Sequence, residues 1–171
     1  TIYFGGGTPS VIGADNLGKI INCAKECYDI TDDAEITVEC NPSTVDEEFF
    51  RKLASYGVNR ISLGMQSAVD NERKKLGRFS DRNQVLSVID NAEKHGITNI
   101  SLDVMLGIPD QTQKSLDDTI DFCIETGVPH ISAYMLSVEE GTVFYNRVYT
   151  LNLPDEDTVR EMYIHLSAIL R

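Results

Sequence analysis

A short motif that occurs three times constrains the fold of this chain more than any other feature. Its copies are Gly57-Val58-Asn59-Arg60-Ile61-Ser62-Leu63, Gly96-Ile97-Thr98-Asn99-Ile100-Ser101-Leu102 and Gly127-Val128-Pro129-His130-Ile131-Ser132-Ala133. Each copy follows a stretch with helical periodicity, so its glycine fits the position just after a helix and its Ile-Ser pair fits the start of a strand. The repeat therefore predicts successive helix–strand units, which form parallel β-sheets with right-handed connections.

The periodicity of apolar residues predicts five strands that alternate with helices. The strands are expected at 2–5, 35–40, 60–66, 99–105 and 130–136, and the helices at 15–29, 45–56, 112–126 and 155–171. A further helical stretch, 70–95, should break near Gly77. Capping residues are expected at Thr44 (with Glu47), Asp15, Asp81 and Thr112 or Ser115. This order fits either an open doubly wound sheet or part of a (β/α) barrel.

The two faces of the predicted strands differ in polarity, and this difference favours the barrel. Strands of a doubly wound sheet are covered on both faces and read as nearly continuous apolar runs. Here one face is apolar and suited to helices, whereas the other is small and polar. The sequence therefore predicts a wide or partial barrel of about five parallel strands, with helices on the outer face and a ligand inside. The apolar face carries Ile36, Val38, Cys40, Ile61, Leu63, Met65, Ile100, Leu102, Val104, Ile131, Ala133 and Met135; the polar face carries Thr37, Glu39, Ser62, Gly64, Gln66, Ser101, Asp103, Ser132 and Tyr134.

Charge and length limit the classes of function. The chain has 171 residues, which suits a single domain over 1–171, and its 15 basic and 27 acidic residues give a net charge of −12. Such a charge repels phosphate backbones, so nucleic acid is not an expected partner. No apolar run has the length of a membrane span. The chain opens without Met inside a predicted strand, so we expect a fragment of a longer protein.

The four cysteines do not form a disulfide framework, which favours a reducing, cytoplasmic setting. Cys23 and Cys27 are spaced i, i+4 on a predicted helix, a spacing that suggests a metal site. No third ligand follows at a useful distance, because Ile30 stands where a C-x3-C-x2-C run needs its last cysteine. The preferred interpretation is that both thiols are small buried apolar groups, and no metal ligand is predicted.

Polar side chains near the predicted strand ends indicate a ligand site. Glu39, Gln66 and Asp103 share the polar face toward the carboxyl ends of their strands, and Gly5-Gly6-Gly7 follows the first strand. In parallel α/β folds ligands bind at that edge, and glycines there leave backbone N–H groups accessible. Carboxylates suit a ligand rich in hydroxyl and amino groups. The alternatives are a plain turn for the glycines and backbone-satisfying roles for the acids, and three convergent residues favour the ligand.

Two further interpretations are weaker on the residues alone. A dinucleotide-binding motif is a poor match, because Ser10 replaces its third glycine and the first strand-end acid comes 34 residues after Gly5 rather than about 20. Arg78 suits a bidentate contact with a ligand carboxylate, and equally a solvated position at a helix end.

Five ordered motifs closely resemble the radical S-adenosylmethionine proteins related to oxygen-independent coproporphyrinogen III oxidase. The resemblance runs from Thr1 to about Tyr163. The motifs are Ile2-Tyr3-Phe4-Gly5-Gly6-Gly7-Thr8-Pro9-Ser10, Glu39-Cys40-Asn41-Pro42, Asn59-Arg60-Ile61-Ser62-Leu63-Gly64-Met65-Gln66-Ser67, Leu76-Gly77-Arg78 and Asp103-Val104-Met105-Leu106-Gly107-Ile108-Pro109-Asp110-Gln111-Thr112.

The resemblance implies a partial (β/α)6 barrel, S-adenosylmethionine and a [4Fe–4S] cluster, with which the family generates a 5′-deoxyadenosyl radical. By the same resemblance, Gly6, Gly7 and Thr8 meet the methionyl amino group, and Arg78 binds the methionyl carboxylate. Glu39, Gln66 and Asp103 hold the amino group and the ribose hydroxyls. No residue of this chain is implied as catalytic or as a metal ligand.

The family's cluster loop, C-x3-C-x2-C, and its first strand precede the triple-glycine strand, so the resemblance implies a central fragment that is inactive by itself and binds S-adenosylmethionine weakly at best. Two branches of the family act on tetrapyrroles: an oxidase of coproporphyrinogen III and a chaperone that binds heme. Residues 130–142 and 153–163 are more similar to the chaperone branch, whose members need not be enzymes. A nucleotide-binding (β/α) barrel enzyme without radical chemistry remains the alternative.

Overall fold

The structure, a computed structural model, describes residues 1–170 and contains one five-stranded parallel sheet with the strands in sequence order. The strands are β1 (Ile2–Phe4), β2 (Ile36–Cys40), β3 (Arg60–Gln66), β4 (Asn99–Leu106) and β5 (His130–Met135). The helices are α1 (Ala14–Cys27), α2 (Glu47–Ser55), α3 (Asp70–Lys75), α4 (Arg82–Lys94), α5 (Gln113–Glu125), α6 (Val143–Asn146) and α7 (Glu156–Ile169). The predicted fold class and element order are confirmed, and β1 is an edge strand of the described sheet.

The repeated glycines end helices, as the repeat predicts. Gly57, Gly96 and Gly127 follow α2, α4 and α5 with φ of +95°, +82° and +71°, a left-handed backbone that glycine adopts without steric cost. After α2, the Gly57 N–H donates to the Ala54 carbonyl (3.0 Å) and the next N–H, of Val58, donates to Leu53 (3.1 Å). The same pair of bonds recurs after α4. Both are Schellman motifs, which turn the chain out of a helix and satisfy its last carbonyls.

The chain divides into two compact units, each built from several segments. The first comprises Thr1–Met65, Ser80–Leu102 and Val128–Ile131, and the second comprises Gln66–Phe79, Asp103–Gly127 and Ser132–Arg171. That residues 1–171 form a single domain stays a prediction.

In the first unit, helices α1, α2 and α4 pack side by side. The apolar strand residues are buried as expected in β2, β3 and β4, among them Ile36, Val38 and Ile61. The expectation was wrong for β5, where Ile131 and Ala133 are only partly buried and Met135 is 50% exposed. The polar face is also buried at its amino end, which the expectation of an open lumen did not include. Thr37 is fully buried and accepts a hydrogen bond from Arg60 (3.4 Å), and Ser101 pairs with His130 Nδ1 (2.8 Å). Side chains of neighbouring strands thus close this part of the face.

In the second unit, α5 packs on α7, and the loops after β3 and β4 are held by side chains. After β4, the buried Gln111 accepts hydrogen bonds from the N–H groups of Gly107 (2.7 Å) and Ile108 (3.3 Å) and donates to the Met105 carbonyl (3.1 Å). These three bonds satisfy backbone groups that the turn at Gly107, with φ +79°, removes from the sheet.

Some local expectations were wrong. Gly13, not Asp15, is the N-cap of α1, and Asp15 lies in the first turn of that helix. Asp46, not Thr44, caps α2 by accepting from the Phe49 N–H (2.8 Å), and Thr44 lies in a 3-10 turn, Pro42–Thr44. The caps at Asp81 and Thr112 are confirmed, with Ser115 completing a reciprocal pair. The short α6 was not expected. The last helix ends at Ile169, and Arg171, to which it was predicted to extend, lies outside the described residues.

A close contact between α1 and α2 gives a test of the packing in the first unit. A Cβ on Gly18 would lie 2.3 Å from the ring of Tyr56, far inside van der Waals contact. We expect Gly18→Ala to lower the free energy of unfolding by about 1–3 kcal/mol in urea denaturation, because the ring must move.

The double variant provides the control. With Tyr56→Ala in the background, Gly18→Ala should be neutral or stabilising by up to about 1 kcal/mol, since alanine favours a helix over glycine. Equal destabilisation in both backgrounds would contradict the contact.

Candidate functional site

The three positions after β1 require glycine for different structural reasons. A Cβ on Gly5 would lie 2.7 Å from the Tyr3 ring and 2.9 Å from Glu39 Oε1, so this position lacks space for a side chain. Gly6 and Gly7 instead have φ of +85° and +61°, and no atom lies within 4 Å of a Cβ built on either. The turn interpretation therefore accounts for the backbone, and the open space beside Gly6 and Gly7 leaves their backbone accessible.

Glu39 holds this glycine loop. Its Oε1 accepts a hydrogen bond from the Tyr3 hydroxyl (2.8 Å), and its Oε2 accepts one from the Gly6 N–H (3.0 Å). In the parallel register Glu39 lies beside Ser62, which puts it on the polar face as predicted. Because each carboxylate oxygen has a second lone pair, Glu39 is still able to accept hydrogen bonds from a ligand.

Ser10 provides a second link between the loops after β1 and β2, and the sequence analysis assigned it no such role. The buried Ser10 hydroxyl lies 2.7 Å from Thr44 Oγ1 and accepts a hydrogen bond from the Asn41 N–H (3.2 Å). Asn41 follows β2 directly, so Ser10 and Glu39 fix the triple-glycine loop from both ends. Thr8, partly buried, begins the 3-10 turn Pro9–Ile12 between these two anchors.

Gln66, the last residue of β3, combines two unusual features. Its φ is +70°, a region that residues with a Cβ adopt rarely, and its side chain is buried. Its Oε1 has no hydrogen-bond donor among residues 1–170. A buried acceptor without a donor costs free energy, and strained backbone is found preferentially at ligand sites. Both features favour a ligand that donates a hydrogen bond here.

A buried polar network supports the strained backbone at Gln66. The Ser67 hydroxyl donates to Glu72 Oε2 (2.7 Å) and accepts from the Val69 N–H (2.9 Å). Thr119 of α5 accepts from the Ala68 N–H (3.1 Å), and Arg73 donates to the Ser67 carbonyl (2.8 Å). These bonds satisfy the turn after β3 and leave its conformation little freedom. Ser67, Glu72 and Arg73 lie close together along the chain, but Thr119 is distant from them, so the sequence offered no signal that α5 takes part in this network.

The remaining predicted site residues also lie in the second unit. Asp103 is the fifth residue of β4 and is partly buried, and it interacts with neighbouring groups. Arg78 follows Gly77, whose φ of +68° ends α3, and its guanidinium has no acceptor in the described part of the chain. Of the seven predicted residues, the structure joins Gly6 to Glu39 by a hydrogen bond. A common site for all seven stays a prediction.

The exposure of two cysteines corrects the sequence interpretation. Cys23 and Cys27 are exposed on α1, not buried, whereas Cys40 and Cys123 are buried. Burial raises the pKa of Cys123 to about 12 and that of Cys40 further, so both remain protonated thiols. Within residues 1–170, no group of three or more His, Cys, Asp or Glu side chains is arranged to hold a metal ion.

A sequence model of the Radical SAM superfamily matches residues 1–123, and the chain belongs to this superfamily. The match includes the loop that contains Gly6 and the strands that carry Glu39, Gln66 and Asp103. It favours membership of the Radical SAM superfamily over the alternative of an unrelated nucleotide-binding barrel.

Curated relatives narrow the family. The chain is 38% identical over 172 residues to a heme chaperone HemW of Lactococcus lactis, covering 99% of this chain and 45% of that protein. It is 37% identical over 163 residues to a heme chaperone HemW of Haemophilus influenzae, covering 95% of this chain and 42% of that protein. The chain thus spans less than half the length of these relatives.

A solved structure supports the fold. Coproporphyrinogen III oxidase (HemN) from Escherichia coli superposes with a TM-score of 0.86 over 98% of this chain and 39% of that chain, at 22% sequence identity. The fold is therefore that of a partial radical SAM barrel. None of the helices in residues 1–170 is both long and apolar enough to cross a bilayer.

The superfamily implies S-adenosylmethionine and a [4Fe–4S] cluster as cofactors, and the described residues fit the two differently. The open backbone at Gly6 and Gly7 and the unpaired Gln66 acceptor fit a ligand that carries amino and hydroxyl groups. No set of cluster ligands exists in the described part of the chain, so these residues do not supply the cluster site.

The bond between Glu39 and the glycine loop gives a direct test. In Glu39→Ala the Gly6 N–H loses its acceptor, and we expect its amide to exchange with solvent roughly fivefold faster, as for a bond of about 1 kcal/mol. Hydrogen exchange followed by NMR measures this. Tyr3→Phe removes the hydroxyl that donates to Glu39 Oε1 and should change Gly6 exchange much less. Unchanged exchange in Glu39→Ala would show that the loop does not depend on this carboxylate.

Proposed function

We propose that the complete protein containing this chain is a heme chaperone of the HemW branch that binds S-adenosylmethionine. Identity to HemW proteins over 95–99% of the chain carries this proposal. The proposed partners are S-adenosylmethionine and a tetrapyrrole, heme rather than coproporphyrinogen III. All four cysteines are free, which supports a reducing, cytoplasmic location.

We propose that the seven predicted residues bind S-adenosylmethionine. Gly6, Gly7 and Thr8 receive the methionyl amino group, and Arg78, which has no other acceptor in residues 1–170, binds the methionyl carboxylate. A planar guanidinium matches a carboxylate with two parallel hydrogen bonds, which fixes its orientation as well as its position.

The hydroxyl and amino groups of the nucleoside are assigned to Glu39, Gln66 and Asp103. Glu39 is oriented by Tyr3 and Gly6 and retains free lone pairs, so it accepts further hydrogen bonds without moving. Gln66 gains the donor that its buried Oε1 lacks. The bound ligand supplies a reactive sulfonium centre, and the chain's contribution is to hold and orient it. We further propose that residues 1–171 by themselves are inactive.

Gln66→Met should affect the stability of the ligand-free protein and its affinity for S-adenosylmethionine differently. Methionine keeps the length of the side chain and removes the unpaired acceptor, so thermal stability of the ligand-free protein should stay equal or rise. The affinity of the complete protein for S-adenosylmethionine should fall roughly 3- to 10-fold in calorimetry, because one hydrogen bond is lost.

Gln84→Met is the matched control. Gln84 contacts no ligand in this proposal, and its side chain donates to the Pro42 carbonyl (3.3 Å), so its replacement should leave the affinity unchanged. A Gln66→Met protein that loses stability but binds S-adenosylmethionine normally would assign Gln66 a purely structural role.

The chaperone and oxidase functions are separated by two measurements on the complete protein with its cluster restored. We expect heme titration to give a saturable absorbance change with a defined stoichiometry. We expect no decarboxylation of coproporphyrinogen III in an anaerobic assay with a reductant and S-adenosylmethionine. Turnover to protoporphyrinogen without stoichiometric heme binding would assign the oxidase function instead.

A further inference from the structure

The second unit contains a cavity of about 560 Å³ that involves none of the seven proposed S-adenosylmethionine residues. One wall is the end of α3 and the two residues after it, Lys74 to Gly77. The other wall comes from α6 and the turn after it and contributes Phe144, Arg147 and Leu151. This volume is within the range of small-molecule sites in proteins.

The two walls are tied together through Asp110. Lys75 donates to the Asp110 carboxylate and to the Pro109 carbonyl (3.0 Å). Asn152, which directly follows Leu151, donates to the same carboxylate (2.6 Å), and the Asp110 N–H donates to the Asn152 carbonyl (2.8 Å). Lys75 and Asn152 lower the pKa of Asp110, which keeps its carboxylate charged at neutral pH. Asp110 thus connects the two walls of the cavity through hydrogen bonds to Lys75 and Asn152.

The charges of this cavity are unusual for so acidic a chain. In the part of the chain that the structure describes, most Lys and Arg side chains contact a carboxylate or a carbonyl. Lys74 and Arg147 contact neither, and both are exposed at the cavity. With a net charge of −12, acceptors are abundant, so two neighbouring cations without one mark a place where an external anion is favoured.

The remaining lining is apolar. Leu76, Phe144 and Leu151 are partly buried and offer aliphatic and aromatic surface to a ligand. We propose that this cavity binds an amphipathic carboxylate, whose apolar body packs on these three side chains and whose carboxylate is held by Lys74 and Arg147. Lys75 is already committed to Asp110 and acts as a positioning residue. Either a ring system or an acyl chain with a carboxylate has this chemistry.

The test uses 1-pyrenebutyrate, a fluorescent apolar ring with one carboxylate, titrated into the complete protein without cluster or S-adenosylmethionine. We expect saturable binding that Lys74→Gln/Arg147→Gln weakens about tenfold or more, since charge-assisted hydrogen bonds are lost. The methyl ester of the dye should bind the unaltered protein at least tenfold more weakly and should be insensitive to the double variant.

Lys114→Gln is the matched control. Lys114 is another exposed cation without an acceptor among the described residues, but it lies on α5 and does not line the cavity, so the affinity should stay within about twofold. Lys74→Arg/Arg147→Lys keeps both charges and should retain most of the affinity. Melting temperatures equal to that of the unaltered protein confirm that the variants are folded.

Competition experiments distinguish whether the apolar part of the ligand is a ring system or an acyl chain. Displacement of the dye by protoporphyrin IX assigns a ring carboxylate, and displacement by decanoate assigns an acyl chain. Equal affinity of the acid and its ester, an unchanged affinity in Lys74→Gln/Arg147→Gln, or displacement by neither competitor would overturn the proposal. Because no S-adenosylmethionine is present, the result is independent of the proposed S-adenosylmethionine site.

Discussion

The left-handed glycine at the end of α2, α4 and α5 is the constraint on which the rest of the structure depends. At these positions only glycine reverses the chain without a steric cost, and the Schellman bonds after α2 and α4 satisfy the last carbonyls at the same step. Each reversal sends the chain into a strand parallel to the one before. The five strands therefore run parallel in one sheet, in sequence order.

The triple glycine shows how one short motif combines two physical requirements. Gly5 is needed because Tyr3 and Glu39 leave no room for a Cβ, whereas Gly6 and Gly7 are needed because their backbone is left-handed. Glu39 then uses the Gly6 N–H that the turn exposes. The same glycines are thus able to form the turn and to contact a ligand, so their role in the turn does not exclude a role in binding.

Strain and an unpaired acceptor coincide at Gln66, and the surrounding bonds show why they persist. Ser67, Glu72, Arg73 and Thr119 satisfy the backbone beyond it, so the turn is fixed independently of what Gln66 itself contacts. The same principle applies at Asp110, another non-glycine residue with positive φ (+59°), which is held by Lys75 and Asn152. In both places hydrogen bonds from neighbouring side chains hold a backbone conformation that a residue with a Cβ rarely adopts.

The sequence by itself determined the order of strands and helices, the glycine positions after three helices and the membership of the radical SAM superfamily. These follow from local rules: periodicity of apolar residues, the conformational freedom of glycine, and ordered motifs. It failed where the outcome depends on contacts between distant residues. Asp46 rather than Thr44 caps α2 because Thr44 is engaged by Ser10, and Cys23 and Cys27 are exposed because α1 turns another face to its neighbours. Only the tertiary structure decided that Glu39 binds the glycine loop, that Gln66 Oε1 lacks a donor, and that Asp110 joins the walls of a cavity, since each of these is a distance between groups that the sequence leaves far apart.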